Sequence, residues 1–333
     1  MKWLTAFVSG QLLVIVLLFL LSDFLDPYGL KETQNKRVEN LNSEEAFLYP
    51  LKIQPNSYYL VGTSRTLAFD IKTIEKNLKR KTYFLGISGS NINQWLFLVQ
   101  KIKERKSNII LGLDLFSLNQ TQIKENTKSQ ILLDQTFKDF NFFTKYFYFL
   151  NSNFIQTSFS TIFKNFFVPK NHLFNTQNLN NSQNNFKIKE NPYKNFRLAQ
   201  NQFHKLLSYL SPQDIVIVFP EYWKYYTFYL RHSSFDCQNL LEEYIQTIKI
   251  LAMQTQAQIW IFGGINSITL EDKNFDYDYW HFKPKIAELI VKRIFKQQID
   301  IQDFGFEINR KNLDKQLQEW KDKIISHENK VEK

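Results

Sequence analysis

The stretch "YYLVGTSRTLAFD" (residues 58–70) determines how the rest of the chain is interpreted. It begins with a short apolar run typical of a buried strand and passes through "GTSR" into the start of a helix. Ser64 stands at the junction. Taken alone, it has two explanations: a nucleophile held at a strand end, or the N-cap of the helix, because a serine hydroxyl accepts hydrogen bonds from unpaired helix N–H groups.

The same alternation of strand and helix extends along the chain. Strands are predicted at "SYYLVG" (57–62), "TYFLGIS" (82–88), "NIILGLDLF" (108–116), "DIVIVFP" (214–220) and "QIWIFGG" (258–264). Helices are predicted near 66–80, over 91–106 and 239–256, and from about 284. This alternation predicts an α/β fold with a parallel sheet and helices on its faces.

Composition restricts the class of protein. The 333 residues are 44% hydrophobic, which suffices for one large domain core or for a domain with an accessory region. The single cysteine, Cys237, excludes an intramolecular disulfide and a multi-cysteine zinc site. His172, His204 and His232 lack the spacing of metal ligands, so we predict no metal and no cofactor.

The net charge of +10 is spread over lysines that alternate with acidic residues. The sequence contains no dense basic helix, no zinc-finger spacing and no aromatic ribonucleoprotein motif. We therefore predict no nucleic-acid partner. The remaining interpretations are a basic solvated surface or a mild attraction to anionic lipid head groups or acidic glycans.

The N-terminus carries an uncharged run, "WLTAFVSGQLLVIVLLFLLS" (3–22), of about the 20 residues that a membrane-spanning helix needs. No small-residue cleavage site follows it, so residues 1–22 are predicted to be a retained transmembrane anchor. Lys2 precedes the run, and Asp23 and Asp26 follow it, which favours an N-terminus inside the cell. We expect a single-pass protein of the cytoplasmic (inner) membrane whose main domain is periplasmic or otherwise extracytoplasmic.

Four regions follow from these patterns: the anchor (1–22), a polar juxtamembrane stalk (23–55), an α/β domain (56–300) and an amphipathic C-terminal helix (301–333). The domain contains an insert at about 120–210 that is rich in aromatic residues and asparagine. The insert is interpreted as packed helices, as a cap over a site, or as a surface resting on lipid.

Residues that can carry chemistry follow the predicted strands. Ser64, Gly89 and Asp114 come after the first three strands, and Asp278 and His281 come after the last one. Ligands of parallel sheets bind at the carboxyl ends of the strands, so these residues are expected to converge. A histidine activates a serine by accepting its proton, and a carboxylate orients the histidine. Backbone N–H groups at Ser64 and Gly89 are candidates to stabilise an oxyanion.

Four segments, "VGTSR", "GISGS", "LGLD" and "DYDYWH", occur in the order of the conserved blocks of the SGNH (GDSL-like) hydrolase superfamily, which the chain resembles over about 25–120 and 210–300. With its N-terminal span, "DPYG" turn and "LDLFSLN" strand, it is similar to the membrane-anchored bacterial branch, which includes alginate-acetylation proteins and a membrane protein of teichoic-acid D-alanylation.

The resemblance implies a three-layer α/β/α, flavodoxin-like domain with a parallel sheet. It also implies a catalytic triad of Ser64, Asp278 and His281 that transfers an acyl group, O-acetyl above all, to or from a cell-envelope glycan. A membrane-bound acyltransferase is an implied partner, next to the glycan and the bilayer itself. The alternative is a non-catalytic binding or assembly component that keeps the same fold.

Three further residues are assigned to the oxyanion site or pocket. Asp114 stands where the family has an asparagine, and an ionised carboxylate cannot donate to an oxyanion. Asp114 is therefore protonated, used otherwise, or a sign of altered chemistry. Arg65 either positions an anionic group or pairs with Asp114. Glu221 is the expected substrate contact, although the neighbourhood of a helix N-cap explains an acid there equally well.

Overall fold

The structure is a computed structural model that describes residues 54–125, residues 193–331 and ten positions between 3 and 20. The chain divides into two compact units. One unit, Ile53–Gln130 with Asn184–Lys333, contains the sheet and every candidate site residue. The other, Met1–Lys52 with Ile131–Gln183, falls almost entirely outside the described residues.

A six-stranded sheet forms the centre of the first unit, with strand order β2-β1-β3-β4-β5-β6. The strands are β1 Tyr58–Gly62, β2 Thr82–Gly86, β3 Asn108–Leu113, β4 Ile215–Val218, β5 Gln258–Ile261 and β6 Phe306–Ile308. The first five run parallel, and β6 is antiparallel to β5. The carboxyl ends of β1 to β5 therefore share one edge of the sheet.

Helices flank both faces of this sheet. They are α1 Ile71–Leu78, α2 Ile92–Glu104, α3 Gln120–Glu125, α4 Gln200–Ser208, α5 Lys224–Arg231, α6 Leu240–Gln254, α7 Pro284–Ile294 and α8 Leu313–Val331. Side chains alternate between the faces of a strand, so each strand supplies apolar residues to both sides. Helices α1 and α7 share a core cluster with one face, and α2 contacts β1 and β3 outside that cluster.

The structure confirms the α/β class and the predominantly parallel sheet, and each of the five predicted strands is present. It adds β6, which lies within the region assigned to the C-terminal helix. That helix begins only at Leu313, and its Trp320 is buried with Nε1 donating to the Gly263 carbonyl at 3.0 Å. The C-terminal segment is thus packed into the same compact unit as the sheet.

Most of the predicted anchor (1–22), nearly all of the stalk (23–55) and the central part of the insert lie outside the described residues, and their assignments stay predictions. The described positions between 3 and 20 are helical and exposed. Within the part of the chain that the structure describes, no helix combines the length and apolar character needed to span a bilayer.

Candidate active site

Ser64 lies directly beyond the carboxyl end of β1, where it is the first residue of a short 3-10 helix, Ser64–Ala68. The N-cap of that helix is Thr63, whose hydroxyl accepts from the Arg65 N–H, and the N-cap of α1 is Asp70. The interpretation of Ser64 as a helix N-cap is therefore wrong. Its half-buried hydroxyl is used elsewhere.

Three glycines allow the turn that contains Ser64 and Thr66, called the serine turn, to pack closely against the sheet. Gly62, Gly86 and Gly112 lie on the neighbouring strands β1, β2 and β3, and all three face Thr66 of the turn. A Cβ at Gly62 would lie 2.6 Å from Thr66 Cγ2, and one at Gly86 would lie 2.1 Å from Thr66 Oγ1. A side chain at Gly62 or Gly86 would collide first with Thr66 of the turn, whereas one at Gly112 would collide first with the Phe219 ring. The turn therefore packs directly against the strands because these strand positions are glycines.

Ser64 and His281, 217 positions apart in sequence, are joined by a contact of 2.7 Å between Oγ and Nε2. The other ring nitrogen of His281, Nδ1, lies 2.5 Å from Oδ2 of Asp278. A carboxylate only accepts, so Nδ1 carries the proton and Nε2 is left to accept from the serine hydroxyl. The three side chains form one hydrogen-bonded series with the polarity of a serine–histidine–aspartate triad.

The turn between Asp278 and His281 is rigidly built. Oδ1 of Asp278 accepts from the N–H groups of Trp280 and His281, both at 3.0 Å. An isolated antiparallel bridge between Phe275 and Phe282 closes the turn. Tyr279 adopts φ +56°, a left-handed conformation that is unfavourable for an aromatic residue. Such strain persists only where the surroundings fix the backbone.

Asp278 is held in its ionised form. Partial burial would raise its pKa, but hydrogen bonds from the His281 ring and backbone outweigh that effect and lower the pKa to about 2. The carboxylate therefore stays charged across the physiological range and can stabilise an imidazolium. The His281 and Asp278 side chains remain 34% and 29% exposed, so a ligand can reach them.

Arg65 and Asp114 do not line an open pocket. Both are fully buried, and Nη1 of Arg65 lies 2.6 Å from Oδ1 of Asp114. The second carboxylate oxygen, Oδ2, accepts from the Thr63 hydroxyl. Of the two roles open for Arg65, the structure shows the pairing with Asp114. Both oxygens of Asp114 are committed to these contacts.

Glu221 is buried beside this ion pair, with Oε1 3.8 Å from Nη1 of Arg65. Burial raises the pKa of Glu221 to about 8, against the opposing effects of Arg65 and of the Tyr229 hydroxyl. Its carboxyl group is therefore mainly neutral at pH 7. With 1% of its surface exposed, Glu221 is placed as a core group next to Arg65 and does not line an open surface.

Gly89 lies in the exposed loop after β2 and adopts φ +64°, the conformation that glycine favours. The loop is fastened to β1 because the Ser90 hydroxyl donates to the Gly62 carbonyl at 3.1 Å. Within the described residues, neither the Ser64 nor the Gly89 N–H donates a hydrogen bond. Both amides are thus available to a ligand.

The chain matches no protein-family model and no curated protein sequence. What the site can do therefore has to follow from its own atoms.

Sequence reasoning missed three contributors to this site. Trp280, inside the Asp278–His281 turn, stacks on the Arg65 guanidinium at 4.5 Å. Tyr225 of α5 donates its hydroxyl to the Asp278 carbonyl at 3.4 Å. Thr66 occupies the space left by Gly62 and Gly86, and it shares the space beside Gly112 with Phe219. The one available sequence signal for Thr66 was that each of three successive strands has a glycine near its end. Nothing in the local sequence pointed to Tyr225.

Proposed function

We propose that the chain is a membrane-anchored, extracytoplasmic serine enzyme with an SGNH-like fold that acts on acyl esters of a cell-envelope glycan. In the leading case it transfers an O-acetyl group to the glycan or removes one from it. One observation carries the proposal: the series from Ser64 Oγ through His281 to Asp278, with distances of 2.7 and 2.5 Å.

The sheet topology supports the finer assignment of the fold. The order 2-1-3-4-5 of the five parallel strands is that of flavodoxin-like, doubly wound folds. In such folds ligands bind where the strand order reverses, here between β1 and β3. Ser64 follows β1 at that position, as a nucleophile in a three-layer α/β/α domain would.

The proposed reaction has two halves. Ser64 Oγ attacks the acyl carbonyl while its proton passes to His281 Nε2; the tetrahedral intermediate then releases the alcohol, which takes that proton, and leaves an acyl-Ser64 ester. In the second half a glycan hydroxyl, or water, attacks this ester and gives its proton to His281. Ser64 departs, recovers the proton, and the acylated glycan or the free acid is released.

The remaining residues have supporting roles in this scheme. The N–H groups of Ser64 and Gly89 would donate to the oxyanion, and the ionised Asp278 would stabilise the imidazolium. The anchor (1–22) would hold the domain at the extracytoplasmic face. There a membrane-bound acyltransferase is the partner that would deliver the acyl group.

A second candidate is a non-catalytic binding or assembly component of an envelope-glycan modification complex. Asp114 favours it, because the position that resembles the family's asparagine holds a buried acceptor committed to Arg65. A cleft without a side-chain oxyanion donor could bind a glycan without cleaving an ester.

The decisive experiment compares covalent labelling of the full chain by a fluorophosphonate probe in wild type, Ser64→Ala and His281→Ala. The proposed function predicts labelling of Ser64 and a loss of at least about a thousandfold in rate for both variants. Ser326→Ala, at an exposed serine of α8, is the matched control and should label normally. Glycan acylation that is normal in cells carrying Ser64→Ala would support the non-catalytic alternative.

A further inference from the structure

Arg65 lies beyond β1 and contacts residues that follow three of the other parallel strands, β3, β4 and β5. Its Nη1 lies 2.6 Å from Asp114 at the end of β3, and its Nη2 donates to the Pro220 carbonyl beyond β4. Its guanidinium carbon lies 4.5 Å from the centre of the Trp280 ring, in the loop beyond β5. Arg65 itself is the residue after Ser64, beyond β1. One side chain therefore joins four strand ends.

From these contacts we infer that Arg65 is a positioning residue that holds Ser64 and His281 at reacting distance, an inference that rests on the proposed function. Trp280 is the connection to the histidine. Its ring stacks on Arg65, and its backbone N–H donates to Asp278 at 3.0 Å. A shift of Arg65 would therefore reach the carboxylate that orients His281.

The chemistry of arginine suits this role better than that of a simple core residue. Burying a guanidinium carries a large desolvation penalty, and well-packed apolar replacements of buried ion pairs are often as stable. Holding the fold together thus does not require a charge here. The planar guanidinium can bond Asp114 and Pro220 in its plane while its face rests on Trp280. A lysine ammonium cannot make all three contacts at once.

Phosphonate labelling of the full chain separates positioning from stability, because the end point counts folded sites and the rate constant reports the geometry of each site. For Arg65→Lys we expect a labelling rate per site lower by about a hundredfold, as for a displacement of about 1 Å, with most of the end point retained. Arg197→Lys is the matched control, since Arg197 pairs with Asp236 and rests on Phe235 away from the site, and its rate should equal wild type.

Trp280 provides a second route to the same test that leaves the buried ion pair intact. Trp280→Leu should slow labelling, whereas Trp280→Phe, which retains a ring face, should recover most of the rate. Wild-type rates per site in Arg65→Lys or in Trp280→Leu would overturn the inference and leave the proposed function standing. Absence of Ser64 labelling in the wild-type chain would instead remove the proposed function and the inference with it.

Discussion

Arg65 and Asp114 form an ion pair with no solvent exposure on either side chain, 2.6 Å between Nη1 and Oδ1. The pair explains why an acid occupies the position after β3 where the family resemblance expects an asparagine. A buried guanidinium needs a counter-charge, and Asp114 supplies it. The acid at this position thus complements the charge of the arginine that follows Ser64.

Replacing Asp114 by asparagine should destabilise the chain. Arg65 would remain buried without its principal counter-charge, which typically costs about 3–5 kcal/mol. Urea unfolding of Asp114→Asn against wild type measures the difference. Asp236→Asn is the control, because its partner Arg197 is half exposed and the change should stay within about 0.5 kcal/mol. An unchanged midpoint for Asp114→Asn would contradict the counter-charge role.

The stabilisation that Asp278 provides should disappear in acid. Its pKa is near 3.8 when unfolded and about 2 when folded, so the unfolded chain binds more protons between these values. The advantage of wild type over Asp278→Asn is thus full above about pH 5. It should shrink as the pH falls through the folded pKa of about 2.

The lowered pKa of Asp278 can contribute at most about 2 kcal/mol to the free energy of unfolding. Unfolding free energies of both proteins at pH 7, 4 and 3 measure this dependence. A difference between the two proteins that stays constant down to pH 3 would exclude the lowered pKa.

Glu221 should affect the pH dependence of stability in the opposite direction to Asp278. Because its folded pKa is about 8 against an ordinary value of 4.5, the folded chain binds more protons between those values and loses stability as the pH rises. Glu221→Gln removes this titration. Its stability relative to wild type should rise from about pH 5 to pH 8, by up to about 1.4 kcal/mol per pH unit. Glu288→Gln, at an exposed residue of α7, is the control for the substitution itself.

The close packing of Thr66 against Gly62 predicts that a second substitution restores the labelling rate of a Gly62 variant. Gly62→Ala should disturb the serine turn and slow phosphonate labelling, because its Cβ would lie 2.6 Å from Thr66 Cγ2. Thr66→Ser removes that methyl group and keeps the hydroxyl that donates to the Thr63 carbonyl at 2.6 Å. The double variant should therefore label faster than Gly62→Ala alone. Equal rates would show that the clash lies elsewhere.

Much of the fold was accessible from the sequence, because the parallel strands are short apolar runs, and β1, β3 and β4 are buried on both faces. β6 was missed because three residues, Phe306–Ile308, carry no pattern of their own. α5 was missed because "KYYTFYLR" is rich in residues of low helix propensity and its N-cap, Trp223, makes no side-chain cap. Packing against neighbouring elements determines the secondary structure of both segments.

The candidate triad was predicted from residue types at strand ends, and the structure brings Ser64, Asp278 and His281 within hydrogen-bonding distance. The partner of Arg65 could not be chosen from the sequence, since it depends on β1 and β3 being neighbours. The burial of Glu221 was equally inaccessible, because acids are usually exposed and only the assembled core encloses this one.

The separation of 217 positions between Ser64 and His281 has a consequence for biosynthesis. The serine is translated early, whereas the histidine follows β5, and the pairing of distant segments is slow to form. On the proposed chemistry, a nascent chain carries an ordinary, unreactive hydroxyl until the segment that bears His281 has been made and has folded. If that chemistry holds, reactivity would appear only after the segment with His281 has packed beside β1, and shorter nascent chains would not acylate themselves or their surroundings.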